Sequence, residues 1–212
     1  MRARQAIGWA LATALGMAAV LPPSGAAVEP GVPVGGSVTV LGGSPEQVAL
    51  VRWGVHRFED AGLRLPELEV RFHPDRAGCN GYAGYYRVSG VDLCGSLVNL
   101  MTRRNLLHEM AHAWTEANLG TEERERFLEI RGLSSWNGGA VPWAERGFEH
   151  AAEILGWYLG DRVLSVTLPG NGAEQLEAAV AVLLSGPADA VASVAGHGPG
   201  RGPDGWEGGA ER

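Results

Sequence analysis

The sequence predicts an α+β fold in one domain, with a small mixed sheet followed by a helical C-terminal part. Two observations predict this class. Strand-like patterns lie in the first half of the domain, and helical periodicity dominates the second half. A single helical pattern interrupts the strands, so strands and helices do not alternate regularly. Segregated elements are typical of α+β folds, whereas regular alternation would indicate a parallel sheet covered by helices.

The two ends of the chain are interpreted separately from the domain. Arg2 and Arg4 precede an apolar run of about fifteen residues, Ile7 to Leu21, shorter than the roughly twenty that span a bilayer. We therefore expect residues 1–27 to be a signal peptide and the mature protein to be secreted without a membrane span; an uncleaved anchor is the alternative. The Pro- and Gly-rich residues 28–36 are expected to form a linker, residues 37–185 the domain, and residues 186–212 a disordered tail.

The first elements of the domain are predicted from local signals. Residues 37–41 are expected to form a short strand. Ser44, with Gln47 three residues later, has the pattern of a capping box and predicts the start of a helix. After Pro66, apolar residues alternate with charged ones over residues 68–72, which indicates a half-buried strand.

The segment between Cys79 and Cys94 is expected to form a hairpin at the edge of the sheet. Its strands are residues 82–88 and 91–94, joined by a turn at Ser89-Gly90. In an exported chain an even pair of cysteines suggests a disulfide, which would stabilise a fold with a loop of this length by roughly 3 kcal/mol. A pair of metal ligands is the alternative, but no second Cys/His pair lies nearby at zinc-site spacing.

Helical periodicity in the second half of the domain predicts four helices. Leu106, Leu107 and Met110 lie on one face of the first helix, which Gly120 is expected to end. Pro142 is expected to open the third helix, after a loop that contains Gly and Ser. The expected helices cover residues 102–119, 121–131, 142–159 and 173–184.

The first of these helices carries the motif His108-Glu109-Met110-Ala111-His112. Residues four apart lie on the same face of a helix, so His108 and His112 can both direct a ring nitrogen at one Zn²⁺. Glu109 lies beside them, where it can act as general base on a water without binding the metal. The alternative is a pair of packed or exposed histidines. Chance placement gives the pattern in roughly one or two per cent of chains of this composition, which favours the metal site.

A third ligand is expected from the helix after Pro142. Glu149 and Glu153 are four apart and share a face, so the first could bind zinc while the second accepts the other ring proton of a ligand histidine. His150 is turned away from that face by about 100 degrees and is the second choice as ligand.

The two motifs together resemble those of the gluzincin class of metallopeptidases. The chain is also similar to small exported proteins of high-GC bacteria that carry both motifs. The resemblance covers roughly residues 91–160 and implies a zincin-like domain with an active-site helix, bound Zn²⁺, Glu149 as the third ligand and Glu153 as its supporting carboxylate.

In one respect the chain departs from the gluzincin pattern. Many gluzincins place a Tyr or His near the zinc to stabilise the oxyanion, but no Tyr lies between Tyr86 and Tyr158. Tyr82 and Tyr85 are further candidates, with packing as the alternative role. Trp143 and Arg146 lie near the second motif, but the sequence does not assign the oxyanion role to either of them.

The function expected from these observations is an exported zinc metallopeptidase that hydrolyses polypeptide substrates. A non-catalytic extracellular binding or scaffold module is the alternative, although it would have no use for Glu109. Hydrolysis of non-peptide amides is a third possibility. The net charge of −7 and the absence of a basic stripe disfavour nucleic acid as a partner. A monomer is expected.

Overall fold

The computed structural model describes residues 31–88 and 90–185. Within them the predicted α+β class is confirmed, with strands first and helices concentrated in the second half. The signal peptide predicted for residues 1–27 and the tail predicted for residues 186–212 lie outside the described residues. None of the helices in the described part is both long and apolar enough to cross a bilayer.

The strands form one mixed sheet. They are β1 (Val32–Gly35), β2 (Val38–Leu41), β3 (Leu68–His73), β4 (Gly84–Arg87) and β5 (Gly90–Cys94). Their order across the sheet is β1-β2-β3-β5-β4, so β1 and β4 are the two edges. The β2–β3 and β3–β5 pairs are parallel, and the outer pairs are antiparallel hairpins. The predicted hairpin therefore lies at a sheet edge, as expected.

The expected linker needs a correction. Residues 32–35 form β1, which pairs with β2 through Val32 and Val40, and residues 36–37 form the turn between them. The Pro- and Gly-rich composition suggested a loop, but Val34 is buried against the core. Pairing with β2 and burial of Val34 stabilise this edge strand in spite of its composition.

Five helices and two short 3₁₀ helices complete the described part. The α-helices are α1 (Pro45–Asp60), α2 (Leu100–Asn118), α3 (Thr121–Arg131), α4 (Gly147–Leu159) and α5 (Ala173–Ser185), and the 3₁₀ helices are Arg76–Cys79 and Trp143–Glu145. The capping box predicted at the start of α1 is present, with the side chain of Gln47 accepting from the backbone N–H of Ser44 at 2.8 Å.

One predicted helix is divided. The segment expected as a continuous helix over residues 142–159 contains a 3₁₀ turn, an extended residue at Arg146 and then α4. The backbone N–H groups of Gly147 and Phe148 donate to Ser135 and Trp136 in the preceding loop instead of to a helical turn. These bonds to the loop replace the hydrogen bonds that would have continued the helix.

The predicted disulfide is present. Cys79 and Cys94 are joined, and the bond ties the first 3₁₀ helix to the end of β5. Such a bond is compatible with an extracellular protein. Next to it, Asp92 on β5 accepts from Arg87 at 2.6 Å and contacts the ring of His73 at 2.8 Å, so that one buried carboxylate links three adjacent strands.

Helices α2 and α4 pack closely, and this contact positions the candidate site. A Cβ at Gly156 would lie 3.2 Å from the backbone nitrogen of His108 and 3.4 Å from its Cα. The neighbouring atoms are backbone, so a larger residue would require the two helices to separate by a few tenths of an ångström. Gly156 therefore allows the two helices to approach at the level of the motif.

Candidate metal centre

The side chains of His108, His112 and Glu149 converge at the α2–α4 interface. The Nε2 atoms of the two histidines lie 3.1 Å apart. Oε2 of Glu149 lies 3.5 Å from Nε2 of His108 and 3.3 Å from Nε2 of His112. The i, i+4 spacing on α2 and the first turn of α4 thus bring together three of the residues that the sequence singled out, and the group could hold a metal ion.

The spacing of these donor atoms matches a tetrahedral metal. Ligand atoms at 2.0–2.1 Å from a tetrahedral zinc lie about 3.3–3.4 Å from one another. The three distances of 3.1, 3.3 and 3.5 Å bracket that value. Two imidazoles and one carboxylate also form one of the ligand sets of catalytic zinc. The residues present therefore fit the group that the sequence implied.

The donor atoms open into a cleft of about 730 Å³. One wall is β4, with Gly84, Tyr85 and Tyr86, together with Tyr82 just before the strand, and another wall is the segment from Trp143 to Glu149. The side chains of the three metal-site residues are largely buried, yet each reaches the cleft. A small molecule or an extended chain could therefore approach the metal site from one side.

Glu153 lies behind His108, as the sequence predicted for its supporting carboxylate. Its Oε2 is 3.3 Å from Nδ1 of His108. Its Oε1 accepts from Arg104 and, at 3.0 and 2.9 Å, from the backbone and hydroxyl of Thr167. Burial acts to raise the pKa of Glu153, but His108, Thr167 and Arg104 outweigh it and hold that pKa well below its usual range. Glu153 is thus a fixed anion that orients the ring of His108.

Glu109 lies on the cleft side of the three donors and is not one of them. A Cβ built on Gly84 of β4 would be 2.7 Å from its Oε1 and 2.9 Å from its Cγ. The absence of a side chain at Gly84 therefore leaves the space that the carboxylate occupies. Burial raises the pKa of Glu109 to about 7, with His108 opposing the shift and Glu149 adding to it.

The protonation of the cluster follows from burial and neighbouring charges. Burial works to lower the pKa of His108, but Glu149 and Glu153 raise it to about 9. Burial lowers the pKa of His112 to about 4 against the attraction of Glu149. Burial works to raise the pKa of Glu149, yet the two histidines hold it well below its usual range. A bound metal ion would compete with protons for these donor atoms.

His150 is packed away from the cluster. Its Nε2 donates to the carbonyl of Ala144 at 2.8 Å, and its Nδ1 accepts from Arg131 at 3.2 Å. Both ring nitrogens are therefore occupied, in agreement with its lower rank as a ligand. Arg131 also donates to the carbonyl of Pro169 at 2.7 Å, which anchors the loop that carries Thr167.

The tyrosines of the cleft are placed differently from one another. Tyr86 stacks on His112, with ring centroids 5.8 Å apart, and its hydroxyl donates to Glu116 at 2.6 Å. Burial, followed by the contact with Glu116, raises the pKa of this hydroxyl. Tyr82 and Tyr85 also line the cleft and are exposed, whereas Tyr158 lines a different cavity.

Three residues near the site were missed by the sequence reasoning. Arg104 lies one helical turn before His108, and this spacing was a usable signal. Thr167 lies in an irregular loop, and Gly84 matters because it has no side chain, so neither produces a recognisable sequence pattern.

Nδ1 of His112 is buried without a hydrogen-bond partner among the described residues. Of the two histidines, only His108 therefore has a supporting carboxylate in the described part of the chain.

Comparisons with protein-family models, curated proteins and solved structures found no match to this chain. The gluzincin resemblance therefore stays a prediction that depends on the two sequence motifs. The geometry of the site is an independent argument, because it depends on distances and not on sequence likeness.

Proposed function

We propose that this chain is an exported zinc-dependent metallopeptidase that hydrolyses peptide bonds. The observation that carries the proposal is the arrangement of His108, His112 and Glu149 at tetrahedral spacing, beside Glu109 in an open cleft. A catalytic zinc needs three protein ligands and an open position, and the cleft supplies access to that position. The disulfide supports the exported location.

The donor set favours zinc among the common metals. Two imidazole nitrogens and one carboxylate suit zinc, whereas Mg²⁺ and Ca²⁺ prefer sites built from oxygen ligands. Bound zinc supplies Lewis acidity, which makes water a nucleophile near neutral pH and polarises a carbonyl group. Glu153 contributes by holding the ring of His108 in the orientation that presents its Nε2.

Glu109 is proposed as the general base. Its carboxylate lies between the donor cluster and β4, so it can accept a proton from the attacking water and return it to the leaving amine. Strand β4 is the sheet edge that lines the cleft, and the backbone groups on its outer side can pair with an extended peptide. Both features favour a polypeptide as the substrate.

One observation favours the alternative of a non-catalytic binding module. The hydroxyl of Tyr86, which stacks on a ligand histidine, is already donated to Glu116. Tyr86 is therefore not free to stabilise an oxyanion. A binding module, however, has no use for a buried carboxylate beside the metal ligands, so Glu109 favours the enzyme.

The test combines metal content with hydrolysis of an unfolded protein. We expect about one zinc per purified chain, loss of zinc in His112→Ala, and hydrolysis that a chelator stops and added zinc restores. Glu109→Gln should retain zinc and lose most hydrolysis, because an amide cannot accept the proton. Glu125→Gln, the same change on an exposed residue of α3, is the control. Full zinc retention in His112→Ala contradicts the metal site. Bound zinc without hydrolysis in the wild type favours the binding module.

A further inference from the structure

Arg146 is a cation in the cleft that the proposed reaction does not use. It is the extended residue between the second 3₁₀ helix and α4, and it lines the cleft together with Glu109 and the three metal-site residues. Its Nε donates to the carbonyl of Val141 at 2.9 Å. That bond fixes the plane of the guanidinium and leaves the terminal nitrogens available.

The other cation of the cleft is already paired. Arg104 contacts the carboxylate of Glu153 and the hydroxyl of Thr167. Arg146, in contrast, has no carboxylate within 4.0 Å among residues 31–88 and 90–185. Glu149 is held by the two histidines and Glu153 by Arg104, so neither neutralises Arg146. The cleft therefore contains an unpaired positive charge next to the proposed reaction centre.

We propose that Arg146 binds a carboxylate of the substrate and makes the cleft selective for peptides that present a carboxylate near the scissile bond. This inference rests on the proposed peptidase function. A guanidinium presents its N–H groups in a planar fork that matches a carboxylate, and the bond to Val141 holds this fork in place before substrate arrives. Arg146 is half-buried, so salt would screen its attraction to a carboxylate less than it would for an exposed arginine.

The carboxylate can belong to an acidic side chain or to the C-terminus of the peptide. Peptides that differ only as Glu or Gln near the scissile bond, each with a free or an amidated C-terminus, separate these sources. We expect kcat/KM of the wild type to be about 10- to 100-fold higher for the peptide that has the carboxylate bound by Arg146 than for the matching peptide in which that carboxylate is replaced by an amide. This is the range expected for a charge-assisted hydrogen bond.

The matched variants are Arg146→Gln and Arg64→Gln. Both remove one positive charge, but Arg64 is exposed and outside the cleft. The ratio of kcat/KM between acidic and neutral peptides should fall to about 1 in Arg146→Gln and stay at the wild-type value in Arg64→Gln. A wild-type ratio near 1, or an unchanged ratio in Arg146→Gln, would overturn the inference.

A binding measurement separates this inference from the proposed function. The Nε–H resonance of Arg146 can be assigned by NMR from its absence in Arg146→Gln. Titration of the purified protein, with and without added zinc, should shift this resonance with the N-acetylated amide of glutamate but not with that of glutamine. A shift without any hydrolysis would support the anion site and contradict the peptidase. Hydrolysis without a shift and without an acidic preference would support the peptidase and contradict the role of Arg146.

Discussion

The substitution Gly84→Ala tests whether the position of Glu109 matters for catalysis. Gly84 lies on β4, and the Cβ of an alanine would be 2.7 Å from Oε1, 2.9 Å from Cγ and 3.1 Å from Cδ of Glu109. Ordinary contacts begin at 3.4 Å, so the carboxylate has to retreat by about 0.7 Å or more. The three atoms nearest to that Cβ all belong to Glu109, so the substitution should act first on the proposed base.

The expected result is a loss of kcat without a loss of metal. A misplacement of about 1 Å can cost about 100-fold in rate, so we expect kcat to fall by about 10- to 100-fold. Zinc affinity should stay within a few-fold of wild type. The strand should tolerate alanine, because Gly84 has no positive φ. The assay is steady-state hydrolysis of a peptide together with zinc dissociation constants from competition with a chelator.

The control is Gly139→Ala, since a Cβ at Gly139 meets no atom within 4 Å. Its kcat and zinc affinity should equal those of wild type. Unchanged turnover in Gly84→Ala would refute the reasoning, because it would mean that the base is not Glu109 or that its position is not critical. A loss of zinc in Gly84→Ala would show that the alanine disturbs α2 itself and not one side chain.

Three further predictions concern the ligands, their support and the sheet. Glu149→Ala should weaken zinc binding more than 100-fold, whereas His150→Ala should change it only a few-fold, as measured by chelator competition; the reverse order would shift the ligand by one residue. Arg104→Met should weaken zinc binding by about 10- to 100-fold by releasing the carboxylate behind His108; unchanged affinity would mean that this carboxylate is held well enough without the arginine. Asp92→Asn should lower the free energy of unfolding at pH 7 by about 1–3 kcal/mol, because Arg87 and His73 outweigh burial and depress the pKa of Asp92. In denaturant titrations at several pH values, the difference from wild type should be present above the unfolded-state pKa of about 4 and should decrease as pH falls below it. A difference that does not decrease with falling pH would contradict the assignment.

The parts of the fold that sequence could predict are those that short-range chemistry determines. The capping box of α1 depends on residues three apart, and it is present. The bounds of α3 match the prediction, since Gly120 and Gly132 flank a continuous charged helical pattern. The cysteine pair was read correctly because export and an even count restrict the alternatives.

The errors in the fold have long-range causes. The composition of β1 predicts a linker, because Pro and Gly are typical of loops, and only its pairing with β2 makes it a strand. The helix after Pro142 was predicted as continuous because nothing local marks a break at Arg146. Hydrogen bonds to Ser135 and Trp136 cause that break, and these partners lie in a loop without periodicity. Arg146 lies at this break and lines the cleft. The prediction of a continuous helix therefore gave no indication that Arg146 could bind a ligand.

The candidate site shows the same division between local and distant causes. The i, i+4 spacing predicts that His108 and His112 share a face, and it predicts the same of Glu149 and Glu153, because a helix repeats locally. It does not predict the distance between the two helices. That distance depends on Gly156, where any Cβ would press on the backbone of His108. Separations of 3.3 and 3.5 Å between Glu149 and the two rings require this close approach, since a wider spacing would carry the carboxylate out of reach of a shared metal. The candidate ligands can therefore be predicted from the motifs, but the close packing that brings them together depends on a small residue where α2 and α4 meet.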